Sequence, residues 1–161
     1  MLPDSTLNEA GSLLAACRSK GIMLATAESC TGGLIVATLT AIAGSSDVVD
    51  RGFVTYSNEA KHEMIGVPVA LIETHGAVSE AVAASMADGA LARSRAAIAI
   101  SVTGVAGPGG GTVEKPVGLV CFGLARTGTP AFTERQVFPG DRTEIRAATV
   151  AHAFKMIRAA L

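Results

Sequence analysis

Leu7, Leu13, Leu14 and Cys17 recur on one side of a helical period, which predicts an amphipathic helix from Thr6 to about Lys20. Thr6 and Glu9 have the spacing of a capping box at its start, and Gly21 ends it. Ile22 to Thr26 is a short apolar run without polar alternation, the pattern of a strand covered on both faces. A turn, Glu28-Ser29-Cys30-Thr31-Gly32-Gly33, follows before helical spacing resumes from Leu34 to Ile42 and stops at Gly44. Val48 to Tyr56 is rich in β-branched and aromatic residues and reads as a second strand. Ser57 then caps a short helix that carries Lys61 and closes at Gly66, while Pro68 and Ser79 open two more, the latter reaching about Arg93.

Beyond Arg95 the pattern turns to strands. Ala96 to Val102 is one, Thr103 to Lys115 a glycine-rich loop, Pro116 to Arg126 another strand, and Ala131 to Phe138 its antiparallel hairpin partner. Asp141 and Glu144 form a capping box for a last helix, with Ile145, Ala148, Val150, Ala153, Ile157 and Leu161 on its apolar side. Early strands separated by helices, then a late hairpin, predict an α/β fold: a single three-layer α/β/α domain over residues 1–161 on a mixed sheet. Ligands of such sheets bind beyond the C-terminal ends of parallel strands, where the turns at Ser29 and Gly104 both fall.

Composition narrows the function classes. Of 161 residues, 49% are hydrophobic but only 4% aromatic, so the core is built of small aliphatic groups that let helices lie close to a sheet. Thirteen basic residues against fourteen acidic ones leave a formal charge of -1, too little field to draw the chain to nucleic acid or an anionic membrane. Cys17, Cys30 and Cys121 form no C-x-x-C pair and are expected as reduced thiols. No signal segment or bilayer-length apolar run is present, which predicts a cytoplasmic protein. His62, His75 and His152 are scattered, and neither a metal centre nor a cofactor is expected.

The residues at the strand ends carry the candidate chemistry, each with a plainer reading beside it. Ser29, between strand and helix, has the place of a nucleophile but equally that of a helix N-cap. Gly32 and Gly33 cost helix propensity, about 1 kcal/mol each relative to alanine, which points to something approaching the backbone. A phosphate or the oxyanion of a tetrahedral intermediate both suit the N–H groups there, and spacing does not choose between them. Cys30 is a competing nucleophile whose simpler role is a small buried hydrophobe. Lys61 is by position an exposed helix charge, yet burial would neutralise it and let it accept the serine proton. Tyr56, the only tyrosine, either positions that lysine or merely rests at a strand end. The loop Gly104-Val105-Ala106-Gly107-Pro108-Gly109-Gly110-Gly111 lacks a P-loop ending and precedes no Rossmann helix, but its backbone can close around an anionic or planar ligand. Arg142 sits against the dipole of the last helix, which makes it a phosphate or carboxylate ligand unless an acid pairs it; Arg146 is a weaker candidate. Glu28 has an electrostatic role beside the helix start and is left out of the catalytic set.

Four blocks taken together, Thr26-Ala27-Glu28-Ser29-Cys30-Thr31-Gly32-Gly33, Tyr56-Ser57 with Lys61, Gly104 to Gly110, and Lys115-Pro116-Val117-Gly118, resemble the CinA C-terminal domain family, in matching order over nearly the whole chain. That resemblance implies hydrolysis of the carboxamide of nicotinamide mononucleotide to nicotinate mononucleotide and ammonia. It implies a serine-lysine pair, Ser29 and Lys61, accompanied by Tyr56, and substrate contacts from Cys30, Thr31, Gly32, Gly33, Thr103, Gly104, Ala106, Gly107, Gly109 and Arg142. The implied partner is a small pyridine nucleotide, and a homodimer is expected from the alanine-rich faces. The molybdopterin-binding-like domain of full-length relatives has no counterpart in these residues, and its pyrophosphate hydrolysis is not expected. A non-catalytic nucleotide-binding or regulatory module, and a cysteine amidase built on Cys30, are the alternatives.

Overall fold

The computed structural model describes residues 2–161. Its helices are α1 (Asp4–Ser19), α2 (Leu34–Thr40), α3 (Asn58–Ile65), α4 (Val69–His75), α5 (Glu80–Ala92) and α6 (Arg142–Ala159). Its strands are β1 (Leu24–Glu28), β2 (Val49–Val54), β3 (Ile98–Gly104), β4 (Leu119–Arg126) and β5 (Thr129–Val137). They form one sheet in the order β2-β1-β3-β4-β5. β1 lies parallel to both β2 and β3, whereas β3–β4 and β4–β5 are antiparallel, so the mixed sheet ends in the expected hairpin.

Side-chain alternation along the strands divides the core into two layers. Leu24, Ile98, Ile100, Val102, Val120 and Phe122 face α1, α2 and α6, whose Leu13, Leu14, Ile35, Leu39, Val150 and Phe154 complete one apolar cluster. On the other face Ala25, Ala27 and Ala99 meet Ile65, Val67, Ile72, Val82 and Met86 from α3, its C-terminal turn, α4 and α5. Small residues on that face let α5 lie against the sheet: Ser101 Oγ donates to the Ala83 carbonyl at 2.6 Å, and Gly123 leaves room for the same carbonyl. Gly89 of α5 similarly leaves room for the backbone carbonyl of Ile65 at the end of α3.

The caps at Ser57 and Asp141 form. Ser57 Oγ accepts the Ala60 N–H, and the Asp141–Glu144 box is reciprocal. The first helix departs from expectation: it starts at Asp4 with Pro3 at its N-cap, and Thr6 lies buried inside its first turn. Proline's fixed φ of -59° already presets the helix entry, so the Thr6–Glu9 capping box does not form. β4 begins at Leu119 and not at Pro116, because Pro116 to Gly118 make a turn closed by the Leu119 N–H on the Pro116 carbonyl.

Candidate active site

Glu28 stands in register with Val54 of β2 and Val102 of β3, so the C-terminal ends of three parallel strands fall side by side. Past that line the chain runs into Ser29, into Thr55 and Tyr56, and into Gly104 with its loop. A cleft of about 210 Å³ opens there, lined by Ser29, Cys30, Tyr56, Lys61, Thr103, Gly104, Ala106 and Arg142 among the residues singled out from sequence. Asn58, Ala77 and Val78 line it as well. Asn58 was missed although it follows the Ser57 cap on the very helix that carries Lys61. Ala77 and Val78 carry no sequence signal; the first is drawn in by Thr103, whose hydroxyl donates to its carbonyl at 2.8 Å.

Lys61 is 1% exposed, the burial its candidate role required and not the solvated position its place on a helix gives by itself. The inward face of α3 carries it beneath the end of β2 together with buried Ile65. Its Nζ lies 3.0 Å from Ser29 Oγ, 3.0 Å from the Thr55 carbonyl and 3.4 Å from the Tyr56 carbonyl. No carboxylate forms an ion pair with it among the described residues. Burial therefore pulls its pKa below the ordinary value of 10.5, with Cys30 and Glu59 acting weakly the other way. The two carbonyls can only accept and so take two of its N–H groups, while the Ser29 hydroxyl, which can also donate to the Tyr56 carbonyl at 3.5 Å, accepts a third from the ammonium or donates to the lone pair of the neutral amine.

Ser29 is not the helix cap. Gly33 holds that position with φ 99°, which a side chain would adopt only under strain. The first-turn donors of α2 go to Glu28, whose buried carboxylate accepts from the N–H groups of Gly33, Ile35 and Val36. Thr31 turns its hydroxyl to the same carboxylate at 2.6 Å. The Gly32 N–H closes on the Ser29 carbonyl at 3.0 Å. This corrects the expectation that the whole turn from Cys30 to Gly33 presents free donors: only the N–H groups of Cys30 and Thr31 lack a partner among the described residues. Gly32 is exposed, Thr31 is buried, and none of Thr31, Gly32 and Gly33 lines the cleft, whereas Cys30 does.

Burial pushes the Cys30 thiol up to about 12, aided by neighbouring Glu28, and its side chain joins the core beside α2. A protonated thiol there is the small hydrophobe of its plainer reading, and the lowered pKa of a helix-start cysteine is absent. The Tyr56 ring is exposed, and its hydroxyl accepts from Arg142 Nη2 at 3.3 Å; the residue meets Lys61 through its backbone carbonyl and not through its phenol. Arg142 also donates to the Gly107 carbonyl at 2.8 Å and has no carboxylate partner among the described residues. Arg146, one turn along α6, donates to the Thr31 carbonyl at 2.8 Å. Gly107 is thus a loop anchor, and Gly109 stands in open space away from the cleft. Among the described residues no three His, Cys, Asp or Glu side chains converge to hold a metal ion, and no helix is long and apolar enough to cross a membrane.

Comparison with known proteins agrees with this architecture. The crystal structure of competence/damage inducible protein CihA from Agrobacterium tumefaciens superposes with a TM-score of 0.96 at 49% identity, covering 99% of this chain and 97% of that one. Nicotinamide-nucleotide amidohydrolase PncC of Escherichia coli (strain K12) is 49% identical over 142 residues, 88% of this chain and 86% of that protein. A CinA-like protein of Mycolicibacterium vanbaalenii is 52% identical over 141 residues, 88% of this chain; the chain spans only 33% of that relative's length. The sequence model of the CinA C-terminal domain matches residues 7–161, and the chain belongs to that family.

Proposed function

We propose that this chain is a nicotinamide-nucleotide amidase in which Ser29 is the nucleophile and Lys61 its base. The amidohydrolase similar to it over most of both lengths suggests the reaction and the substrate. The observation that carries the mechanism is the 3.0 Å approach of a buried Lys61 Nζ to Ser29 Oγ, with two backbone carbonyls occupying its other directions.

Neutral Lys61 takes the hydroxyl proton as Ser29 Oγ bonds to the carboxamide carbon, and the carbonyl oxygen becomes an oxyanion. The N–H group of Cys30, which lines the cleft beside Ser29, stabilises it; loss of one such donor typically costs about 3 kcal/mol in the transition state. Lys61 then hands its proton to the departing nitrogen, the C–N bond breaks and ammonia leaves. Water, giving its proton to the same amine, attacks the acyl carbon and frees nicotinate mononucleotide and Ser29. Arg142, with no carboxylate paired to it among the described residues, lines the cleft and meets the phosphate, with Tyr56 holding the guanidinium. Thr103, Gly104 and Ala106 line the same cleft, Ala106 next to the Gly107 whose carbonyl Arg142 holds.

Ammonia release from nicotinamide mononucleotide tests the reading. The wild-type chain should release it, and Ser29→Ala should lose at least about 1,000-fold in kcat while still binding the nucleotide. Unimpaired turnover by Ser29→Ala would refute the nucleophile. Activity lost in Cys30→Ala but retained in Ser29→Ala would assign the thiol instead.

A further inference from the structure

Glu28 is a fully buried carboxylate with no cation paired to it among the described residues. Burying such a group is costly unless its oxygens are satisfied, and here five donors converge on it. Oε2 accepts from Thr31 Oγ1 at 2.6 Å, Gly33 N at 3.1 Å and Ile35 N at 3.0 Å. Oε1 accepts from Val36 N at 2.9 Å and Thr26 Oγ1 at 3.3 Å. A helix start that needed only a cap would take a serine, threonine or aspartate at the N-cap itself, where this chain has Gly33. The cap comes instead from the residue immediately before the nucleophile, so the turn Ser29 to Gly33 is folded around the carboxylate.

That arrangement sorts the donors of the turn. The Ser29 N–H goes to the Val102 carbonyl, the Gly32 N–H to the Ser29 carbonyl and the Gly33 N–H to Glu28, while Arg146 fixes the Thr31 carbonyl from α6. The amides of Cys30 and Thr31, directly after the nucleophile, are those left over. We propose that Glu28 is a positioning residue of this site: by gathering the donors beyond the nucleophile turn, it holds the unpaired Cys30 amide, whose residue lines the cleft, where the oxyanion forms. The inference rests on the amidase reading above and adds to it the group that fixes the oxyanion donor without touching the substrate.

The test compares kcat, KM and the pH profile of ammonia release from nicotinamide mononucleotide for the wild-type chain, Glu28→Gln and Thr31→Val. Glutamine keeps the shape but points an NH2 at N–H donors, and should lower kcat by about 100-fold, the effect of a misplacement near 1 Å. KM should stay within about 2-fold, because ground-state binding is untouched. The midpoint of the acid limb should not move, because the carbonyl contacts of Lys61 lie outside the change. Thr31→Val removes one donor to Oε2 and should lower kcat by about 10-fold with the same signature. Either variant, folded, with kcat within about 2-fold of wild type overturns the positioning role, as does a loss in which KM rises as steeply as kcat falls. If Glu28→Gln does not fold, Thr31→Val decides alone. A wild-type chain that releases no ammonia overturns the amidase reading and this inference with it, whereas an active wild type with active variants overturns the inference alone.

Discussion

On the amidase reading Lys61 has to accept a proton, and its burial, with no carboxylate paired to it among the described residues, disfavours the ammonium form. Lys61 is 1% exposed, and its surroundings offer carbonyls and a hydroxyl where a carboxylate would have stabilised the cation. The rate of ammonia release should therefore climb about tenfold per pH unit below the lowered lysine pKa and level off above it, as a pH profile of kcat/KM would reveal. Stability carries the same signature. Below the lowered value both folded and unfolded chains hold the proton. Between it and the ordinary 10.5 the unfolded chain alone holds it, so stability rises with pH by about 1.4 kcal/mol per unit, is complete above 10.5, and is lost as pH falls back through the folded value. Lys61→Met should lose at least about 1,000-fold in kcat and flatten this rise, read as the change in urea midpoint as pH is raised toward the ordinary 10.5.

At the scale of elements, the position of Lys61 depends on how closely α3 approaches α5. Gly89 stands where that contact is made, and a Cβ there would overlap the Ile65 carbonyl at the C-terminal end of α3. Glycine inside a helix normally costs about 1 kcal/mol relative to alanine, so propensity alone says that Gly89→Ala stabilises. The packing says the reverse. Gly89→Ala should destabilise by roughly 1–3 kcal/mol, as overpacking does, and lower kcat by shifting α3 and with it Lys61. Urea denaturation and turnover measured together check both halves, and a variant more stable than wild type would show that the contact yields easily. The local signals for these elements were plain in the sequence. Ser57, Ser79 and Asp141 each accept the N–H bonds that their place before an apolar period predicts. Such bonds span two or three residues, so no knowledge of the rest of the chain is needed to foresee them.

Across the whole molecule, function follows from register. Glu28, Val54 and Val102 stand in register near the C-terminal ends of three parallel strands, and residues from distant parts of the chain come together beyond them: Lys61 and Ser29 are 32 positions apart, Arg142 at the start of α6 and Tyr56 86. On the far side of the sheet from the site, Asp50 ties the start of β2 to the turn before β3. Its carboxylate accepts from the Arg95 backbone N–H and guanidinium and from Arg51. The Arg95 backbone bond above all holds its pKa down to about 2. Because the folded value lies below the ordinary 3.8, the contribution is present above 3.8 and disappears as pH falls toward 2. Asp50→Asn should lower Tm by roughly 3 °C at neutral pH and leave a shallower acid limb between those two values, with kcat unchanged. A melting series across pH would detect it.

What the sequence by itself determined is the part written in short-range chemistry: the order of helices and strands, the caps at Ser57, Ser79 and Asp141, the mixed sheet, and the strand-to-helix turn that brings Ser29 to the cleft. Its blocks also placed Lys61 on the right helix, but a charged side chain on an eight-residue helix gives no periodic sign of burial. Only the tertiary structure decided that this lysine is desolvated, that Tyr56 reaches Arg142 and turns only its carbonyl to Lys61, and that Glu28 gathers the first-turn donors of α2. Each of these depends on which groups face one another across strands and helices, and a free amide or a lost solvation shell exists only once all the neighbours are in place.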